Sequence, residues 1–307
     1  MVQSIQTVGL QILILCVQIA AGYLFYRKKL LSSDALFSLT NIVIYLALPC
    51  MFLTAFNLDL TPDSLRKFSS AFLAAMLCHI IAIIISFAFI RKKRGYDRKV
   101  LIECCVFSNC GLFGLPLLSA LMGPEGVFLG SPYNLIFGIL FWTIGVLYLK
   151  SGQAKITLKN IFLNPCNICL FVGFSLSWAG IPLPTMINKI SIQLGNLAVP
   201  LSMIIIGCNL AQADLRSVVK DRYYWFISFL SLVLIPFICM MALFIIGIRG
   251  DVLVAVIISV ASPAATTVAV IAEECKRDTV QASCIISLST LLSIITLLGM
   301  IILAKLL

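Results

Sequence analysis

The chain has 307 residues, of which 61% are apolar and 11% are charged, and its formal net charge is +10. A water-soluble domain is about 45–50% apolar and about 25% charged, so this composition excludes an ordinary soluble fold. Uncharged runs of about 20 residues, each long enough to cross a hydrocarbon core of ~30 Å, follow one another along the whole chain. We therefore expect an all-α protein that crosses the membrane several times.

The apolar runs predict ten membrane spans. In chain order they cover residues 5–26, 36–56, 68–90, 100–122, 126–149, 161–179, 189–210, 223–247, 251–272 and 279–304. The first run is followed by Arg27-Lys28-Lys29 and has no basic residue before it, which is the reverse of the charge order in a cleavable signal peptide. We expect this run to remain in the bilayer as the first span.

The basic residues lie mainly in the loops that follow odd-numbered spans. All but five of the 22 Lys and Arg side chains are found there, and the exceptions are Arg66, Lys67, Lys189, Arg249 and Lys305. Because Lys and Arg accumulate on the cytoplasmic side of a membrane, these loops should be cytoplasmic, with both termini outside the cell membrane. The run Arg91–Arg94 then anchors the topology at an anionic leaflet of the lipid bilayer, and the positive charge does not indicate a nucleic-acid partner.

Most of the 12 cysteines fall within predicted spans, where cysteine behaves as a small apolar residue. The pair Cys166 and Cys169 has the spacing of a metal-binding motif, but no histidine or acidic residue lies near it in the sequence. We therefore expect no metal site and no cofactor.

Short sequence patterns recur in the two halves of the chain. Leu46-Ala47-Leu48-Pro49 in the second span matches Leu197-Ala198-Val199-Pro200 in the seventh, and Pro116 in the fourth span matches Pro263 in the ninth. Each half holds five spans, an odd number, so the second copy must be inverted in the membrane. Inverted repeats with interrupted helices at corresponding positions are typical of secondary transporters.

The fourth and ninth spans both contain helix-breaking residues. Gly111, Gly114 and Pro116 lie close together in the fourth span, and Pro263 follows Ser262 near the middle of the ninth. Glycine adds backbone freedom and proline removes a hydrogen bond, so we expect a break in each span. In the ninth we expect Ser262 to cap a half-helix that begins at Pro263. A simple proline kink is the alternative for either span alone.

Two breaks of this kind would bring two half-helix N-termini together near the centre of the membrane. Each N-terminus offers unpaired N–H groups and about half a positive charge, a combination that binds anions without Lys or Arg. Ser108, Asn109, Thr266 and Thr267 are placed to add neutral hydrogen bonds. The aliphatic surroundings suit a small organic acid better than a bare inorganic ion.

Two titratable residues within the spans are candidates for proton coupling. His79 is the single histidine and lies in the third span, and Glu103 lies near the start of the fourth. Intramembrane ionisable groups are candidates for function, although a packing role for His79 and an interfacial position for Glu103 are the alternatives. The crossing itself has no Asp or Glu, which disfavours a tight sodium site.

The rival classes of function are weaker. The HExxH and GxxxxGK[ST] motifs are absent, so we do not expect an enzyme. A channel or a transporter-like sensor would share the same fold and is the stronger alternative.

The stretch from Asn109 to Gly123, NCGLFGLPLLSALMG, resembles the signature of the auxin efflux carrier family, which includes plant PIN-type carriers and bacterial organic-acid permeases. The segments 46–49, 164–165 and 263–274 resemble that family too. The resemblance implies two inverted five-helix repeats, residues 1–152 and 153–307, in a fold like that of bile-acid sodium symporters. It further implies a scaffold of spans 1, 2, 6 and 7, often a homodimer, and a moving transport domain of spans 3–5 and 8–10.

The resemblance also suggests which residues contact the substrate. The crossover asparagine of the family falls on Asn109, and an asparagine implicated in PIN-type carriers falls on Asn164. A family serine in the second span is replaced here by Phe52, with Thr54 as a nearby substitute. The full set of expected substrate-binding residues is Asn109, Ser108, Gly111, Pro116, Ser262, Pro263, Thr266, Thr267, Asn164 and Thr54.

These features lead to an expected function as a secondary transporter of small organic anions. Phe52 and the short loop after the fifth span favour a bacterial-type carboxylate carrier over a carrier of auxin itself. The simplest expected mechanism is anion export driven by the membrane potential, with the crossover domain moving against a scaffold. Coupling to a proton or to sodium is the alternative.

Overall fold

The computed structural model describes residues 2–57, 60–150, 163–213 and 215–307. In this part the chain is helical, and the one β-type pairing is an isolated antiparallel bridge between Ser108 and Ala264. The helices are α1 (Val2–Arg27), α2 (Ser33–Ala55), α3 (Pro62–Phe89), α4 (Arg98–Val106), α5 (Cys110–Leu149), α6 (Pro165–Trp178), α7 (Thr185–Gln212), α8 (Leu215–Lys220), α9 (Arg222–Ile245), α10 (Gly250–Val260), α11 (Thr266–Glu274) and α12 (Thr279–Leu306).

Seven helical segments of the described chain are long and apolar enough to cross a membrane: α1 from Gly9 onwards, α2, α3, α5, α7, α9 and α12. Two further apolar helices, α6 and α10, are shorter. The prediction of an α-helical protein with several membrane spans is therefore confirmed. The count of ten spans and their inverted arrangement remain predictions.

The predicted fourth and ninth spans are not continuous helices. In the fourth, α4 ends at Val106 and α5 begins at Cys110, and in the ninth, α10 ends at Val260 and α11 begins at Thr266. The 40-residue helix α5 extends through the predicted fifth span and is itself broken at Gly123, whose φ is 64° and ψ is −150°. Residues 161–162 of the predicted sixth span lie outside the described residues.

The chain forms two compact units. The first contains Met1–Ala71, Gly111–Pro132 and Lys159–Gln212, and the second contains Phe72–Cys110, Tyr133–Leu158 and Ala213–Leu307. Each unit combines segments from both halves of the sequence, and among the described residues the borders between the units fall once in α3, twice in α5 and once at the end of α7.

The first unit is held together by close approach of α1 to α7. A Cβ atom on Gly22 would overlap the carbonyl oxygen of Ile204, and one on Gly207 would overlap that of Ile19. Only glycine allows two helix backbones to approach so closely without displacement. The α1–α7 contact therefore depends on one glycine from each helix.

The second unit has a polar cluster at one end, which we call the loop clamp: Tyr96, Asp97, Asp221, Arg277 and Gln281. Arg277 Nη1 lies 3.1 Å from an Asp97 carboxylate oxygen, and the Asp97 backbone N–H donates to Gln281 Oε1 at 3.0 Å. Tyr96 donates to Asp221 Oδ2 at 2.6 Å, and this hydrogen bond, together with burial, raises the pKa of Tyr96 to about 12. Arg277 also donates to a backbone carbonyl at the end of α5. The clamp thus joins the loops before α4, α9 and α12 to the end of α5.

Replacing Gly207 with alanine should destabilise the protein, because the added Cβ would overlap the backbone of α1. Overpacking of this kind costs about 1–3 kcal/mol, which we expect to see as a lower midpoint of thermal unfolding in detergent. The matched control is Gly299→Ala in α12, where a Cβ would meet nothing within 4 Å. An unfolding midpoint of Gly207→Ala equal to that of Gly299→Ala would contradict the close approach.

Candidate functional site

The interruptions of the predicted fourth and ninth spans meet and pair with each other within the second unit. The Asn109 N–H donates to the Pro263 carbonyl at 2.6 Å, and the Ala265 N–H donates to the Phe107 carbonyl at 2.9 Å. Ser108 and Ala264 form the antiparallel bridge between these two bonds. Backbone groups released by a helix break inside a membrane need partners, and here the two breaks supply them to each other. We call segments 107–109 and 263–265 the crossing.

Hydroxyl groups on both sides support the crossing. Ser108 Oγ donates to the Ser259 carbonyl at 2.7 Å, and Ser262 Oγ donates to the Ile258 carbonyl at 2.8 Å. From α12, Ser289 Oγ accepts a hydrogen bond from the Ala264 N–H at 3.1 Å. Sequence reasoning missed Ser289, although the closely spaced hydroxyl residues of α12 in an otherwise apolar helix were a usable signal.

The predicted start of the second half-helix was wrong. Ser262 does not cap α11, because its hydroxyl bonds backwards to Ile258, and Pro263 is not the first residue of the helix. The N-cap is Ala265, and α11 begins at Thr266. The reason is the crossing itself, since the Pro263 carbonyl and the Ala265 N–H are both committed to the other segment.

The predicted break in the fourth span was displaced. Gly111 and Gly114 lie inside a π-helical turn, Cys110–Gly114, and Pro116 is the second residue of the α-helical stretch that follows. Pro116 thus follows the π-helical turn directly, and a π-turn interrupts the regular i→i−4 hydrogen bonds in which proline cannot take part. The actual interruption, at 107–109, precedes these residues.

The N-terminus of α11 lies directly beside the crossing and lacks a side-chain cap. Ala265 has no side chain that could accept from the first-turn N–H groups. Thr266 and Thr267 are partly exposed, and Thr267 Oγ1 is buried without a hydrogen-bond partner among the described residues. The first turn of this helix therefore offers hydrogen-bonding groups and a positive helix end.

His79 is linked to the crossing through Tyr133. Its ring centroid lies 4.5 Å from that of Tyr133, whose hydroxyl is 3.4 Å from Ser108 Oγ. His79 is fully buried, and its Nδ1 lies 2.8 Å from the Ala75 carbonyl, so that Nδ1 is the protonated nitrogen when it donates there. In the described part of the chain, the other nitrogen, Nε2, has no hydrogen-bond partner.

Glu103 lies one helical turn before the crossing. It is 3% exposed, and its Oε2 atom is buried without a hydrogen-bond partner in the described structure. Its backbone carbonyl accepts from the Phe107 N–H at 2.9 Å, which closes the last turn of α4.

The structure brings only part of the predicted site together in one unit. The second unit contains eight of the predicted residues: Ser108, Asn109, Ser262, Pro263, Thr266, Thr267, His79 and Glu103. The first unit contains the other four: Gly111, Pro116, Thr54 and Asn164. Thr54 donates to the Met51 carbonyl at 3.0 Å, and Asn164 Oδ1 caps α6 by accepting from the Cys166 N–H at 2.9 Å. These last two side chains therefore have local structural partners.

Comparison with known proteins identifies the family of the chain. The sequence matches the family described as membrane transport protein over residues 7–162 and 152–301. It is also similar to an uncharacterized transporter of Methanocaldococcus jannaschii, with 24% identity over 221 residues, which cover 67% of this chain and 70% of that protein. Because the family match covers nearly the whole chain, the protein belongs to the membrane transport protein family, which is that of the auxin efflux carriers.

Proposed function

We propose that the protein is a secondary transporter of small organic anions, which bind at the crossing of the second unit. The observation that carries this proposal is the uncapped N-terminus of α11 beside the paired segments 107–109 and 263–265. These segments contain no charged residue, so the attraction for an anion would come from N–H groups and the helix end. Asn109, which is 8% exposed, and Thr267 would add hydrogen bonds to the carboxylate.

The proposed topology has ten spans in two inverted halves. The seven long helices of the described chain would by themselves make only seven spans. However, the 40 residues of α5 would extend about 60 Å, which is twice the hydrocarbon thickness, and α5 is broken at Gly123. The proposed total of ten is reached when α5 contributes to two spans, α6 makes one span, and α10 and α11 together make one. The matching interruptions before α5 and before α11 support the inverted relation between the halves.

The proposed orientation places the loop clamp in the cytoplasm. The clamp gathers the loops that follow the third, seventh and ninth proposed spans and the end of the fifth at one end of the second unit. These loops include basic residues, as the positive-inside rule requires of cytoplasmic loops. Both termini would then be outside the cell membrane.

The proposed movement is of the elevator type, in which the second unit carries the anion. Helices α1, α2, α6 and α7, which form the expected scaffold, all fall in the first unit, whereas the crossing falls in the second. The separation of these four helices from the crossing supports the proposal, although residues 68–71 and 111–132 of the expected transport domain also fall in the first unit. The homodimer implied by the family resemblance remains a prediction.

Two energy sources fit such a carrier. An uncoupled monovalent anion crossing a potential of ~100 mV gains about 2.3 kcal/mol, a bias of roughly 50-fold towards the outside. A specific observation favours the second candidate, proton coupling: Glu103 and His79 are both buried in the second unit, and each has an atom without a hydrogen-bond partner in the described chain. Sodium coupling and a channel or sensor function have no comparable support.

The proposed orientation can be tested with single cysteines and a membrane-impermeant maleimide. Lys92→Cys should be protected in intact cells and labelled after permeabilisation, whereas Arg66→Cys should be labelled in intact cells. None of the native cysteines is exposed in the structure, which keeps the background low. Labelling of Lys92→Cys from outside would overturn the orientation.

Substrate binding at the crossing can be tested with Asn109→Ala and Asn109→Asp. Malate, malonate and indole-3-acetate are first screened by the shift that each causes in thermal unfolding of the purified protein. Loss of one hydrogen bond to a charged ligand costs about 1.5–3 kcal/mol, so Asn109→Ala should weaken binding of the best acid roughly 10-fold or more. Asn109→Asp should weaken it further, because a carboxylate repels the anion.

The matched control is Asn188→Ala in α7, which lies in the first unit and should bind as the wild type does. Uptake into proteoliposomes should saturate with the concentration of the same acid, as it does for a carrier and not for a channel. Unchanged binding and uptake in folded Asn109 variants would remove this residue from the site.

A further inference from the structure

The carboxyl group of Glu103 is buried in the interior of the second unit. Its side chain is 3% exposed, and Oε2 lacks a hydrogen-bond partner among the described residues. An ionised carboxylate placed in apolar surroundings without partners is costly, and ionisable groups in membrane interiors are seldom retained without a role.

The surroundings of this carboxyl group are shaped by a glycine and an aromatic ring. A Cβ on Gly145 would lie 2.9 Å from Glu103 Oε2 and 3.1 Å from Cε2 of Phe107. Gly145 ends the π-helical turn Phe141–Gly145 of α5, and π-turns of this kind are frequent at functional sites. The missing side chain of Gly145 is what leaves room for the carboxyl group.

Among the described residues, Lys99 on the same helix acts electrostatically on Glu103, and Glu103 in turn acts on Cys104 of that helix and on Tyr148 of α5. The Lys99 ammonium is directed to α5. There it donates to the backbone carbonyl of Tyr148 at 2.6 Å and lies 4.9 Å from the centroid of the Tyr148 ring.

Glu103 is connected to the crossing by a short path of backbone hydrogen bonds. The Glu103 carbonyl accepts from the Phe107 N–H, and the Phe107 carbonyl accepts from the Ala265 N–H at the start of α11. Along the chain, Glu103 and Asn109 are separated by one helical turn and an extended segment, a distance of about 12 Å. A negative charge on Glu103 would therefore be felt by an anion at the crossing.

We propose that Glu103 is a proton-binding site and that its proton travels with the organic anion. The second part of this proposal, that the proton travels with the anion, rests on the proposed transport function. The first part, that Glu103 binds a proton, does not. Repulsion between two unit charges about 12 Å apart corresponds to a factor of about 10 in affinity at an effective dielectric constant of about 20. By linkage, protonation of Glu103 favours binding of the anion by this factor, and the anion favours protonation by the same factor.

Proton binding is tested first, without any substrate. Infrared difference spectra of the purified protein in lipid nanodiscs, recorded between neutral and alkaline pH, a range in which exposed carboxylates are already ionised, should contain a protonated-carboxyl band. This band should disappear in Glu103→Gln and persist in the control Glu273→Gln, which changes an exposed carboxylate at the end of α11. A spectrum of Glu103→Gln identical to the wild type would overturn the proposal.

A second variant guards against misfolding of Glu103→Gln. Gly145→Ala keeps the carboxyl group but places a Cβ against it, so the band should shift in frequency. Gly299→Ala is the matched control and should leave the band unchanged. An unshifted band in folded Gly145→Ala would contradict the proposed surroundings.

Coupling is tested in proteoliposomes that contain a pH-sensitive dye, with malonate as the probe because its charge limits passive leakage. Malonate uptake by the wild type should be accompanied by protons. Because malonate is a dianion at neutral pH, the factor of about 10 for one unit charge applies to each carboxylate, and malonate affinity should fall up to about 100-fold from neutral to alkaline pH. In Glu103→Gln the protons should no longer accompany malonate, and the affinity should change less than about twofold with pH. His79→Gln should retain the coupling.

The two proposals can fail separately. Coupled proton movement that persists in Glu103→Gln, or is lost in His79→Gln instead, would overturn the assignment to Glu103. Absence of malonate, malate and indole-3-acetate binding in the wild type would count against the proposed function, while the infrared spectra would still decide whether Glu103 binds a proton.

Discussion

Two backbone hydrogen bonds, from Asn109 to Pro263 and from Ala265 to Phe107, are the constraint on which the second unit depends. A helix that is interrupted within a membrane leaves polar groups that lipid cannot satisfy. Here two interrupted helices satisfy each other, with Ser289 of α12 adding a third bond to the Ala264 N–H. The same arrangement leaves the first turn of α11 beside the crossing without a side-chain cap, so the element that stabilises the break also exposes a helix end.

The sequence predicted the class of fold and the existence of both breaks, because hydropathy and helix-breaking residues are local properties. It did not predict where the breaks lie. Segment 107–109 is extended because it pairs with segment 263–265, and a partner so distant in the chain has no local signature. For the same reason Ser262 looked like a helix cap, when its hydroxyl in fact bonds backwards to Ile258. Ser289 was missed because the closely spaced hydroxyl residues of α12 mark the helix as unusual without indicating which of them has a non-local partner.

The polar residues of the predicted site differ in whether their hydrogen bonds are satisfied. Asn164 caps α6 and Thr54 bonds within its own helix, which gives each a structural role that is independent of any substrate. Glu103, His79 and Thr267 each keep a buried atom without a partner in the described chain. Since unsatisfied buried groups are costly, these three residues are strong candidates for binding a ligand or a proton. Their positions in the sequence alone did not distinguish them from the other predicted site residues.

The crossing also constrains how the protein is made. Segment 107–109 is synthesised long before segment 263–265, so its backbone groups have no native partner while the intervening helices are inserted. Until the later segment arrives, residues 98–114 must satisfy these groups as a continuous helix or with water in the insertion machinery. The pairing of the two breaks is therefore a late event of biogenesis, and a chain truncated before α10 would leave the earlier segment without its partner.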